Sequence, residues 1–146
     1  MNKVKVFISY SALDTDKKDV LKNLINNSNN LEAIIVPEQT SNLDYNPEKI
    51  KQHIDNCEVF LPILTSNSIT NQWVNQEIGY TFGSKTIKIE NIYPIVEKSK
   101  LSCLKGFISN SNDLNYRYEN DFEIVAEKLV DDLKEEFKNH FQYNIR

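Results

Sequence analysis

The sequence predicts an α/β fold, with a central, mainly parallel sheet and helices on both faces. Three observations carry that expectation. Apolar runs and amphipathic stretches alternate in the order β-α-β-α-β-α-β-(β)-α along the 146 residues, and such alternation joins parallel strands through helical crossovers. One run, "EVFLPILT" (58–65), is nearly all apolar, as a strand covered on both faces must be. The helical stretches keep apolar residues on one face, as Phe122, Val125, Leu129, Leu133 and Phe137 do near the C-terminus. No repeat, linker or low-complexity tract divides the chain, so a single domain over 1–146 is expected.

Each element has a local reason. "VKVFISY" (4–10) is a short β-branched and aromatic run between polar residues, and reads as a buried strand. Asp14 or Thr15 is expected to cap the helix that follows, 16–27, whose inward face is Val20, Leu21, Leu24 and Ile25. "LEAIIVP" (31–37) is the second strand, ended by Pro37 because proline cannot donate to a ladder. A polar loop covers 38–46. Asn46 then caps a helix over 47–57 with Pro47 at its first position, where the missing N–H has no helical partner anyway. Ile50, Ile54 and Cys57 face inward. The third strand, 58–65, leads through "SNSITNQ" into a helix over about 70–83. "TIKIENIYPIVE" (86–97) holds one or two strands around Ile92–Val96. The stretch 99–117 reads as irregular, with a short strand at Gly106–Ser109, and 119–141 as a long helix with a solvated charged face.

Ligands of open parallel sheets bind beyond the carboxyl ends of the strands. Three segments lie there: 9–16, 37–46 and 65–77. The GxGxxG fingerprint and the GxxxxGK[ST] loop are both absent, so a bound nucleotide would not be held in the Rossmann manner. A net charge of −4 argues against nucleic acid, which requires clustered Lys and Arg. No apolar run approaches the roughly 18 residues of a membrane span, and "MNKVKVFISY" enters a strand without a cleavage site. Cys57 and Cys103 lack metal-binding spacing and read as reduced thiols of a cytoplasmic protein. His53 and His140 are too isolated to suggest a metal site.

The most informative stretch is "ITNQWVNQEIGYTFG" (69–83). It holds the one Trp of the chain, Trp73, with Glu77 four residues later, so a helix sets ring and carboxylate on one face, one turn apart. "FISYS" at the first strand, joined to S-x-x-x-x-W-x-x-x-E-I-G-Y (Ser68, Trp73, Glu77, Ile78, Gly79, Tyr80) in this element order, resembles the Toll/interleukin receptor (TIR) domain family on its prokaryotic side. The resemblance covers nearly the whole chain. It implies a flavodoxin-like three-layer fold with about five strands.

Some members of that family are enzymes that cleave NAD+ at the nicotinamide–ribose bond. The resemblance implies that Glu77 is catalytic here and that NAD+ is a substrate, with no cofactor and no metal. The products would be nicotinamide and a linear, cyclic or conjugated ADP-ribose. Ser9, Tyr10 and Ser11 end the first strand toward the crevice and would contact the nucleotide, with Tyr10 stacking on a base unless strand alternation turns it away. Ser68 would bond near the ribose or simply cap its turn. Trp73 is either a wall of the site or core. Asp14 and Asp16 are caps in preference to ribose ligands. The loop carrying Glu38, Gln39, Leu43, Asp44 and Tyr45 would mediate contacts with other TIR domains and flank the substrate. The implied setting is antiphage defence in the cytoplasm, with self-association and a separate effector or sensor protein, as in Thoeris-like systems. Two other functions remain open: a non-enzymatic interaction module or adaptor mimic, which has no need of Glu77, and a nucleoside deoxyribosyltransferase-like enzyme acting on deoxynucleosides.

Overall fold

The computed structural model describes residues 3–36, 47–103 and 116–139. The strands are β1 (Val4–Ser9), β2 (Leu31–Ile34), β3 (Val59–Leu64), β4 (Ile95–Glu97) and β5 (Tyr116–Tyr118). The helices are α1 (Thr15–Asn26), α2 (Pro47–Asp55), α3 (Gln72–Gly83) and α4 (Phe122–Glu136). All four strand pairings are parallel, in the order β2-β1-β3-β4-β5. This is the flavodoxin-like order, whose direction reverses between β1 and β3.

Strand alternation divides the interior into two cores. Val4, Val6, Ile8 and Tyr10 point to one face and pack with Leu61, Ile63 and the inner residues of α1 and α4. Phe7, Phe60, Leu64 and Val96 point to the other and pack with Ile50 and Ile54 of α2 and Trp73, Val74 and Ile78 of α3. Phe7 and Phe60 stack across the β1–β3 pair with centroids 5.8 Å apart. All six residues of β3 are buried, which is why that segment shows no polar alternation. Each fully buried Leu, Ile or Phe contributes about 1.5–3 kcal/mol, so both faces are strongly committed.

Several boundaries differ from the sequence expectation. β2 ends at Ile34, ahead of Pro37. α4 begins at Phe122 and ends at Glu136, inside the expected 119–141. In 86–97 the strand is Ile95–Glu97, and Ile92 forms only a single bridge to Phe60. β5, at Tyr116–Tyr118, lies at the end of the stretch expected to be irregular. Only three residues long, it alternates buried, exposed, buried, which is too short a pattern to stand out. The expected strand at Gly106–Ser109, the Asn46 cap and the loop 38–46 lie outside the described residues.

Cys57 is buried as expected, and burial, then the neighbouring Glu58, pushes its thiol up to about 12. It is therefore protonated and inert near neutrality. Among the described residues, no helix is long and apolar enough to cross a membrane.

Candidate active site

The site begins at the point where the strand order reverses. Ser9 is the last residue of β1 and pairs in register with Pro62 of β3. Alternation turns its side chain toward α2 and α3, opposite to Tyr10. Its hydroxyl donates a buried hydrogen bond of 2.7 Å to Glu77 Oε1.

Glu77 is delivered by α3. Asn71 caps that helix by accepting from the Val74 N–H at 3.1 Å. The helix then presents Trp73, Val74, Glu77, Ile78 and Thr81 to the interior. Thr81 Oγ1 donates to the Glu77 carbonyl at 2.7 Å, tightening this turn without touching the carboxylate. Glu77 is 4% exposed and Trp73 9%. A solvated helix glutamate is excluded, because side chains of this type are almost never buried without partners.

Trp73, Gln76, Glu77 and Tyr80 form one face of α3. Opposite them stand Pro47, Ile50, Lys51 and Ile54 of α2, and the two rows enclose a cavity of about 70 Å³. Glu77 thus joins the end of β1 to this mostly apolar space. Asp55 fixes the far end of the helix pair. It accepts from Tyr80 Oη at 2.7 Å and from Ser84 Oγ at 3.3 Å, while Lys51 Nζ lies 5.6 Å from the Tyr80 ring centre. The bond to the Asp55 carboxylate, then burial, pushes the Tyr80 phenol up to about 12.

The other sequence-derived candidates fall in different places. Tyr10 packs in the α1/α4 core, 7% exposed, with Lys18 Nζ 5.4 Å from its ring centre. It is on the opposite face of the sheet from Glu77, as an odd–even alternation dictates. Ser11 is buried and accepts from the Leu13 N–H at the 3-10 turn Ala12–Asp14. Ser68 is engaged within its own turn, accepting from Thr65 N–H at 2.7 Å and donating to the Ile63 carbonyl at 2.9 Å. Its hydroxyl therefore shapes the β3–α3 connection. Trp73 is both core and cavity wall. Glu38, Gln39, Leu43, Asp44 and Tyr45 lie outside the described residues.

The expected capping by Asp14 and Thr15 is corrected. Asp14 stands just before α1 but makes no capping bond with its side chain, and Thr15 Oγ1 donates backward to the Ala12 carbonyl. Asp14 is instead fully buried, accepting from Thr65 Oγ1 at 2.6 Å and Asn67 Nδ2 at 2.9 Å, with Lys17 Nζ at 3.6 Å. These bonds lock the turn after β1 to the turn after β3. No spacing rule links residues 51 or 53 positions apart, so this network was invisible in the sequence. Asp16 is exposed. Gln76 and Tyr80 were also missed as wall residues, although each follows Trp73 or Glu77 by three positions and so shares their helix face; the α2 wall has no such local signal, since only the fold brings Pro47, Ile50, Lys51 and Ile54 opposite α3.

The fold and its crevice define an open, flavodoxin-like α/β protein with a buried acid at the switch point. The sequence model of the TIR domain matches residues 6–130, and the chain belongs to the TIR domain family. No curated protein sequence matches the chain significantly. Among solved structures, it is similar to the TIR domains in the activated Roq1 resistosome directly recognising the pathogen effector XopQ. That likeness has a TM-score of 0.52 at 14% identity, over 88% of this chain and 84% of the other. At this identity it speaks for the shared fold.

Proposed function

We propose that this chain is a prokaryotic TIR domain that cleaves NAD+ between nicotinamide and ribose. The observation that carries the reading is the Glu77 carboxylate, buried, held by Ser9 and facing the α2/α3 cavity beside Trp73. Breaking the N-glycosidic bond transfers its electron pair to nicotinamide, which leaves neutral, and positive charge develops on the ribose. A carboxylate held in a site with little water stabilises that charge far better than one in bulk solvent. Water, an adenine nitrogen or a ribose hydroxyl then completes the bond, giving linear, cyclic or conjugated ADP-ribose. Ser9 acts as a positioning residue in this scheme, because its bond fixes one carboxylate oxygen. Antiphage defence, by NAD+ depletion or by a signal molecule, is the proposed setting.

The size of the cavity favours a second reading. About 70 Å³ is far below the roughly 300–1,000 Å³ of sites that enclose drug-sized ligands. A domain that serves only to bind other TIR domains needs no larger pocket. In the enzymatic reading, the space is enlarged when domains assemble. The solved structure of similar fold is a resistosome of TIR domains, in keeping with self-association.

The test is nicotinamide release from NAD+ by concentrated protein, wild type beside Glu77→Ala, with products identified by mass spectrometry. Turnover by the wild type alone is expected. Equal turnover by a folded Glu77→Ala protein would remove Glu77 from the mechanism, and none by either across a wide concentration range would favour the interaction module. Supplying a deoxynucleoside in place of NAD+ tests the deoxyribosyltransferase alternative.

A further inference from the structure

The cavity between α2 and α3 has a polarity. Among the described residues that line it, Lys51 of α2 is the one cation and Glu77 of α3 the one acid. Glu77 is buried, whereas the Lys51 side chain is 45% exposed, so the ammonium stands where the cavity meets solvent. It is held there by the Tyr80 ring, another wall of the cavity, whose centre lies 5.6 Å from Lys51 Nζ. The face of an aromatic ring attracts a cation through its quadrupole. The ring is fixed in turn, because its hydroxyl donates to Asp55 at 2.7 Å.

Lys51 can take a second partner at small cost. It pairs with Glu48 Oε1 at 3.6 Å, and the Glu48 side chain is 77% exposed. Surface pairs of this kind contribute little, so an anion arriving at the mouth displaces Glu48 readily. An anionic ligand also needs such a cation, because the chain carries a net charge of −4 and Glu77 repels negative charge from within. The matching ligand is therefore dipolar. Its entering end is positive, toward Glu77, and its trailing end is negative, toward Lys51.

The nicotinamide half of NAD+ has this polarity. Its pyridinium ring puts positive charge next to the first ribose carbon, and the 5′-oxygen of the same ribose carries a phosphate. We propose that Lys51 determines specificity at this site by binding that phosphate. The site then takes nicotinamide nucleotides as a class, nicotinamide mononucleotide as well as NAD+, and discriminates against nicotinamide riboside, which lacks the phosphate. The assignment rests on the reading of Glu77 as the acid that faces the nicotinamide–ribose bond. A lysine suits the task, since a phosphate is bound well by a point charge on a flexible stem.

The first test is binding, read from the fluorescence of Trp73, the one Trp of the chain and a wall of the cavity. It uses Glu77→Gln protein, which keeps the shape of the acid, so that ligand is not consumed. Nicotinamide mononucleotide should quench saturably, and nicotinamide riboside about tenfold more weakly. Adding Lys51→Met should weaken the mononucleotide about tenfold, the loss typical of one charge-assisted hydrogen bond, and leave the riboside unchanged. Lys51→Arg should restore most of the affinity. Raising the salt concentration should weaken binding to protein that keeps Lys51, and have little effect on the Lys51→Met variant. The second test is kinetic, with Glu77 intact: for NAD+ and the mononucleotide, Lys51→Met should raise KM more than it lowers kcat. A variant that merely folds poorly would lose both ligands alike. No saturable quenching, equal affinity for mononucleotide and riboside, or full affinity in Lys51→Met would overturn the proposal. Phosphate-dependent binding through Lys51 with no nicotinamide released by the wild type would support the Lys51 assignment and reject the cleavage reading, so the two fail separately.

Discussion

Two acids, Asp14 and Glu77, are buried near the carboxyl ends of β1 and β3, and they are used differently. Asp14 is fully enclosed, accepts from two side-chain donors and has a lysine at 3.6 Å. It ties two turns together. Glu77 receives the Ser9 hydroxyl at one oxygen and lines a cavity between two helices. Burial alone does not mark a functional acid, because structural acids are buried too. What separates them is whether the carboxylate borders space that a ligand could occupy. Asp14 is a brace by that criterion, and Glu77 is the candidate for chemistry.

The sharpest way to break the comparison is to exchange the consequences. Glu77→Ala should lower NAD+ cleavage by at least about a hundredfold, as loss of a charge-stabilising group in a dry site does, while the circular dichroism spectrum is retained. Asp14→Ala should act in the opposite sense. It leaves Thr65 Oγ1 and Asn67 Nδ2 without their acceptor, which costs about 2–4 kcal/mol for a broken buried network. Urea unfolding should show that loss, with turnover per folded molecule close to wild type. An Asp14→Ala protein of wild-type stability but no activity would reverse the two assignments.

Ser9→Ala probes the link between strand and acid. The hydroxyl donates at 2.7 Å from inside the sheet, so its loss should cost about 1 kcal/mol of stability. If Ser9 positions Glu77, turnover should fall about tenfold with little change in KM, since an effect on barrier height alone converts at 1.4 kcal/mol per tenfold. Turnover unaffected in a folded Ser9→Ala protein would mean that the helix alone holds the acid.

The two acids were also unequally legible. Glu77 stood out because Trp73 precedes it by four residues and helix geometry converts that spacing into a shared face. The parallel sheet was legible for the same kind of reason: β3 is apolar at every position and α1 to α4 keep helical periodicity. Asp14 was legible only as a cap, because local spacing suggests local roles. Its partners, Thr65 and Asn67, lie more than fifty residues away and are brought to it by the β1–β3 pairing. Tyr10 shows the limit within one strand. "FISYS" places Ser9 and Tyr10 side by side in sequence, and the pleat sends them to opposite cores. β5 was missed because three residues carry too little pattern to be told from loop.

The smallest expected effect concerns the cavity wall. Tyr80 Oη donates to Asp55 at 2.7 Å and holds the last turns of α3 against the end of α2. Tyr80→Phe should cost about 0.5–1.5 kcal/mol near neutrality, the net worth of one hydrogen bond at a partly exposed site. The pH dependence has a definite sign. The folded phenol is pushed up to about 12 from its ordinary 10.0, first by the bond to Asp55 and then by burial. A raised folded value means that the contribution is whole below 10.0, and shrinks as pH rises from there toward 12, because the unfolded chain loses its proton first. The stability gap between wild type and Tyr80→Phe, measured by urea unfolding, should therefore be constant near neutrality and narrower at about pH 11. A gap that widened with pH would mean that folding favours the phenolate, held by the nearby Lys51, over the phenol that donates to Asp55.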